Sequence, residues 1–300
     1  MNPLILAIRR AQIRVNAPRI AANPNPYGVD IARDIPYRDD GDPCHLLDVY
    51  GPAGASGPLP VIVEIHGGGY LSCNKEINAQ HGQYLASKGF RVVNMNYTLC
   101  PEGSLTTILG EMSDVIAWVA RNAEAYGFDP AHLFLTGAVA GGHFALLATA
   151  MFNYGYGTDF FRVAPPPLPV AGCAASCPTG SFEWRLLPPN FPARLSFFLL
   201  HKYTFAKDYA RKSGYEAFMD ARYPRVWLCT SPGDGLMYAH TRRMHEYMAE
   251  RGYPHEYREY AGDGRRLDHA FNILNPDWPE SRAANDDMVA YFHEMVKALP

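Results

Sequence analysis

The sequence predicts an α/β fold, with a mostly parallel central sheet, helices on both faces and a small cap insertion. Two observations carry this. Short apolar runs rich in β-branched residues, VIVEI (61–65), RVVNMNY (91–97) and LFLTG (133–137), lack the strict alternation of a half-exposed strand. They suit parallel strands covered on both faces. Each run is followed by a stretch with helical spacing of its apolar residues, and strand–helix alternation of that kind builds a doubly wound sheet. At 300 residues, length alone admits one large or two small domains, and the alternation favours one.

In order along the chain, residues 4–17 place Leu4, Ile5, Ile8 and Ile13 as one face of an amphipathic helix. A polar, Pro-rich stretch follows, so residues 1–27 read as an N-terminal helix and linker and 28–300 as the main domain. IARDIPYR and HLLDVYGP flank the turn DDGDP as a hairpin, and GASGPLP is a second turn. After the strand at 61–65 come a helix near 76–88, the strand at 91–97, a helix near 108–126, the strand at 133–137 and a helix over 140–153. PVAGCAAS, RVWLCTS and HEYREY are strands, with helices near 238–251 and 281–298. Residues 180–220 interrupt the alternation with Phe182, Trp184, Leu186, Phe191, Phe197, Phe198, Tyr203 and Phe205. They read either as a cap over the strand ends, where open α/β sheets bind ligands, or as additional core helices.

The formal net charge is −3 and no run of five or more like charges occurs, so neither nucleic acid nor an anionic membrane is implied as partner. Six scattered cysteines without CxxC spacing read as reduced, mostly buried thiols. Arg9 and Arg10 interrupt the first apolar residues, no signal-peptide cleavage site appears, and no run has transmembrane length. A cytoplasmic protein without membrane insertion is expected. No HExxH or other ligand spacing is present, so neither metal nor cofactor is expected.

The chemistry-bearing motifs begin directly after VIVEI, at His66-Gly67-Gly68-Gly69-Tyr70. Glycines after a strand let backbone N–H groups converge on one point, as an oxyanion hole requires. LFLTGAVAGGHFALL (133–147) then has the strand, glycines and helix of a nucleophile elbow, with Gly137, Gly141 and Gly142 in place. Asp234 follows a strand, and His269 lies in the last loop before the closing helix, in the order elbow, acid, histidine.

Together with NYTLCPE (96–102), these segments resemble the α/β-hydrolase esterases and lipases with an HGGG motif, the hormone-sensitive-lipase-like carboxylesterases, over roughly residues 40–298. The resemblance implies ester hydrolysis, with Gly67, Gly68 and Ala140 as oxyanion donors, His269 as base and Asp234 orienting it. One position departs decisively: where the family carries its serine, this chain has Val139. Valine has no nucleophilic atom, so the chain is expected to be inactive or strongly impaired. A β-branched side chain is also unwelcome at the positive φ of an elbow, so either an outlier at Val139 or a relaxed elbow is expected.

Three explanations are compatible with Val139. The first is an esterase altered at one site. The second is a binding protein that reuses the pocket for a small apolar ester or ester-like ligand, as the resemblance to gibberellin receptors and neuroligins allows. The third is another nucleophile, with Cys73 the candidate. His143 reads as structural, Glu64 has no explanation in a buried strand, and the oligomeric state is open.

Overall fold

The structure, a computed structural model, describes residues 3–22, 25–180 and 207–299. Its frame is an eight-stranded sheet: β1 (Asp30–Pro36), β2 (Leu46–Gly51), β3 (Leu59–Ile65), β4 (Arg91–Met95), β5 (Phe128–Ala138), β6 (Gly172–Ser176), β7 (Val226–Thr230) and β8 (His255–Glu259). The spatial order is β1-β2-β4-β3-β5-β6-β7-β8. Only β2 runs against the others: it pairs antiparallel with β1 and β4, while every remaining pair is parallel. The predicted hairpin and parallel strands are therefore present. β3, β5, β6 and β7 end side by side at one edge.

The helices follow the predicted alternation with shifted ends. The expected helix at 108–126 is Leu105–Arg121, capped by the Ser104 hydroxyl, plus the short Ala123–Tyr126. Two short helices, Thr158–Phe161 and Phe271–Leu274, were too brief to show a period. The helix Ala140–Tyr154 is buried from Ala140 to Phe152, as its apolar composition requires.

The N-terminal helix corrects the sequence expectation. It spans Pro3–Ala22, and although Ile5 is fully buried, Ile13 is 65% exposed. Among the described residues no continuous apolar stripe docks it. Arg9 anchors it instead, donating from Nε to Leu71 O (2.7 Å) and from Nη2 to Cys100 O (2.9 Å), and pairing with Glu102. The aromatic residues of the expected insertion, Phe182 to Phe205, lie outside the described residues. Its described end forms the helices Lys207–Ser213 and Tyr215–Phe218, and Tyr215 N–H donates to Gly180 O. Among the described residues no helix is long and apolar enough to cross a membrane.

Glu64 now has a reason. The register places Asp48, Asn94, Glu64 and Thr136 in one row across β2, β4, β3 and β5. Glu64 Oε1 lies 2.6 Å from His81 Nδ1, and both residues are fully buried. Lys75 Nζ reaches Asp48 and Asp34 at 2.8 Å, while Asn94 donates to Lys75 O. The row thus fastens residues 75–81, just beyond the HGGG loop, onto the sheet.

The helix after β5 approaches β3 with no room for side chains. A Cβ on Gly141 would lie 2.0 Å from Ile65 O, and one on Gly137 would lie 2.6 Å from it. Gly141→Ala is expected to destabilise the chain by about 3 kcal/mol, although alanine ordinarily favours a helix. Urea unfolding of both proteins would measure this, and an unchanged midpoint would contradict the tight approach.

Candidate active site

His66 to Tyr70 leave the end of β3 in a turn with φ of +103° at Gly68, +59° at Gly69 and +65° at Tyr70. Gly68 cannot carry a side chain, since its Cβ would lie 2.1 Å from Ser72 O. The loop is held by its own residues: Leu71 and Ser72 N–H and the Ser72 hydroxyl all donate to Gly68 O. Tyr97 stacks on the His66 ring (4.1 Å, 10°) and donates its hydroxyl to His66 O (2.9 Å). Burial pushes His66 down to about 4, so the imidazole is neutral and its Nδ1–H donates to Gly67 O. This gives the Tyr of NYTLCPE a physical task. The Thr98 N–H and hydroxyl donate to Glu111, which fixes the rest of that loop.

Gly67 faces the elbow, and a Cβ there would lie 3.6 Å from Val139 Cβ. Val139 itself has φ +56° and ψ −114°. Of the two expected outcomes the strained one is found: the elbow keeps a positive φ despite a β-branched residue, at a cost of about 1–3 kcal/mol. Backbone hydrogen bonds hold it there. Val139 N–H donates to Ser176 O (3.1 Å), and its carbonyl accepts from His143 N (3.0 Å) and Thr179 N (3.1 Å). Ala140 opens the helix, so its N–H has no carbonyl four residues back to bond.

Asp234 sits beyond the end of β7, only 2% exposed. Its Oδ1 accepts from the N–H of Leu236 and Met237, both at 2.9 Å, and His269 Nδ1 lies 3.1 and 3.0 Å from its two oxygens. Burial by itself would raise this carboxyl's pKa. The hydrogen bond and charge of His269, with the two backbone donors, outweigh burial and hold it below the usual value. The histidine loop is fixed from beneath, where Asn272 donates to the Ser176 hydroxyl and to Asn285. Ala138, Ala270 and Ile273 form one apolar cluster with Val139 packed against it, which brings the elbow and the histidine loop together.

Comparison with known proteins agrees with this fold. Residues 47–157 match the BD-FAE family model. Over 122 residues the chain is 33% identical to a probable isoprenylcysteine alpha-carbonyl methylesterase of Oryza sativa subsp. japonica, covering 41% of this chain and 29% of that protein. A non-reducing polyketide synthase of Emericella nidulans is 30% identical over 162 residues, 51% of this chain and 6% of its own length. The chain thus spans less than a third of the curated relatives it matches. Among solved structures, esterase B from Lactobacillus rhamnosis superposes with a TM-score of 0.88 at 24% identity, covering 98% of this chain and 97% of that one. A bacterial heroin esterase gives 0.72 at 19% identity over 96% and 90%.

The chain has the α/β-hydrolase fold.

In this fold the strand order β5-β6-β7 places a residue between the elbow and the acid that the sequence reading missed. Cys177, the first residue after β6, is 3% exposed, and its Sγ, an Asp234 oxygen and a His269 ring nitrogen all lie within 4.8 Å of one another. Burial, then the Asp234 charge, pushes the thiol well above its ordinary value. The only local signal was its place at the end of the strand PVAGCAAS, before Pro178. Cys73, the candidate from sequence, has Ser72 as its side-chain neighbour (Oγ to Sγ 3.9 Å) and no base beside it among the described residues. Its thiol is also raised by burial. His143 is a structural histidine with Tyr70 Oη at 2.7 Å and Ser213 O at 2.6 Å, and burial lowers it to about 4.

Two outcomes are expected. Val139→Gly is more stable than Val139→Ala by about 1 kcal/mol, reversing the usual order, because glycine accepts the positive φ. Equal midpoints in chemical denaturation would show that the elbow is relaxed. Because Asp234 is held below the usual carboxylate range in the folded chain, its ionised form contributes stability above that range, lost as pH falls through the folded pKa. The stability gap between the parent and Asp234→Asn should therefore narrow on acidification from about pH 5 to about pH 3. A constant gap in pH-resolved unfolding would refute this.

Proposed function

We propose that this α/β-hydrolase is a carboxylic ester hydrolase by scaffold whose nucleophile position is filled by Val139, leaving the chain inactive or strongly impaired. The observation that carries this reading is the paired Asp234 and His269 beside an HGGG loop that faces the elbow at Val139. Gly67, Gly68 and Ala140 are the proposed oxyanion donors, His269 the base and Asp234 its orienter. Losing the nucleophile of a serine hydrolase lowers turnover about a million-fold.

A hydroxyl introduced by Val139→Ser would complete the set. Its oxygen attacks the ester carbonyl while His269 accepts its proton, and the three N–H groups stabilise the oxyanion. The intermediate collapses as His269 returns the proton to the leaving alcohol. Water, deprotonated by His269, then attacks the acyl-enzyme, and His269 returns that proton to the introduced hydroxyl oxygen as its bond to the acyl carbon breaks and the acid is released. The ligand class is a small apolar ester, in keeping with the apolar cluster of Ala138, Cys177, Ala270 and Ile273 around the site. The half-buried Val139 side chain in that cluster also favours a second reading, a non-catalytic protein that binds such a ligand.

Val139→Ser is expected to hydrolyse a short-chain chromogenic ester at least about 1,000-fold faster than the parent, with Asp234→Asn in the same background reversing most of the gain. A phosphonate of the tributyrin type, a class represented in a crystal structure of esterase B, should label only the variant. If the folded variant neither turns over nor is labelled, the hydrolase reading fails and ligand binding remains.

A further inference from the structure

The ends of β6 and β7 and the loop before the closing helix deliver three different donor types to one point. Cys177 supplies a thiol, Asp234 a carboxylate and His269 an imidazole, with their ligand atoms within 4.8 Å of one another. We propose that these three side chains form a binding site for a borderline-soft divalent cation, zinc before any other.

The donor set argues for zinc. Magnesium and calcium take oxygen ligands, whereas sulfur, nitrogen and one carboxylate suit zinc. Bond lengths of about 2.3 Å to sulfur and 2.0–2.2 Å to nitrogen and oxygen put ligand atoms ~3.3–3.8 Å apart around a tetrahedral ion. The Asp234–His269 pair, at 3.0 Å, is already near that separation, and even the upper bound for the other pairs asks for contraction of only about 1.5 Å. The supporting contacts are present as well. Leu236 and Met237 N–H fix Asp234 Oδ1, Cys177 N–H donates to Cys229 O, and Asn272 braces the histidine loop. Such outer contacts set the orientation of metal ligands.

Cys177 and Asp234 are buried while the His269 side chain is 26% exposed, so an ion would have two shielded ligands and one at the mouth. Three protein ligands leave a fourth position for water or an anionic ligand. Binding converts the thiol to a thiolate and releases its proton to solvent.

The inference rests on the ligand atoms and not on ester hydrolysis, and its test contains no ester. The chelator-treated chain is titrated with cobalt(II) under reducing, oxygen-free conditions. One equivalent should saturate it with a thiolate-to-cobalt charge-transfer band and the visible bands of a low-coordinate ion, and zinc should displace the cobalt. Cys177→Ser should abolish the charge-transfer band, and His269→Gln, at a partly exposed position, should weaken binding about 100-fold or more with unchanged circular dichroism. Cys73→Ser should change nothing. Absence of a stoichiometric band, its survival in Cys177→Ser, or unweakened binding by a folded His269→Gln overturns the proposal. Any of these leaves the hydrolase reading standing, and a Val139→Ser variant without activity leaves the metal site standing.

Discussion

The close approach of the Ala140–Tyr154 helix to the end of β3 is the constraint on which the rest of the site depends. With no Cβ at Gly137 and Gly141, the Ile65 carbonyl can lie where a side chain would otherwise be, and the chain must reverse within one residue between strand and helix. That residue is Val139, and the reversal gives it φ +56°. The strain, about 1–3 kcal/mol, is offset by the backbone bonds to Ser176, His143 and Thr179 at about 1 kcal/mol each. A side chain so placed faces Gly67, whatever its chemistry. The elbow can therefore keep its shape with a residue that has no chemistry to perform.

Polar groups on two levels hold what surrounds the elbow. At the strand ends, the buried Asp234 keeps its charge because His269 and two backbone N–H groups bind it. Within the sheet, Asp48, Asn94 and Glu64 reach down to Lys75 and His81 and fasten the segment following the glycine loop. Removing one partner of a buried charged pair typically costs about 3–5 kcal/mol, more than the strain at Val139. The segment that follows the glycine loop is thus held more firmly than the elbow is strained.

The site also has two chemical characters. One side is a backbone-lined turn with N–H groups and a neutral His66, suited to negative oxygen. The other joins the thiol of Cys177 to the carboxylate and imidazole, a combination with affinity for protons or for a soft cation. Valine at position 139 has no hydroxyl to offer, and the polar side chains placed together with His269 are Asp234 and Cys177.

By itself the sequence determined the parallel strands, the strand and helix order, the glycine loop and the elbow, and its resemblance to the HGGG esterases implied the pairing of Asp234 with His269. The strands, the glycine loop and the elbow rest on local spacing, since a strand run, a three-glycine turn and an elbow are each written within some fifteen residues. Only the tertiary structure decided what depends on neighbours distant in sequence. Ile13 is periodic yet exposed, because Arg9 rather than an apolar stripe anchors the first helix. Glu64 is tolerable in a buried strand because His81 arrives opposite it. Cys177 joins the site because β6 lies between β5 and β7, an order that no local spacing records.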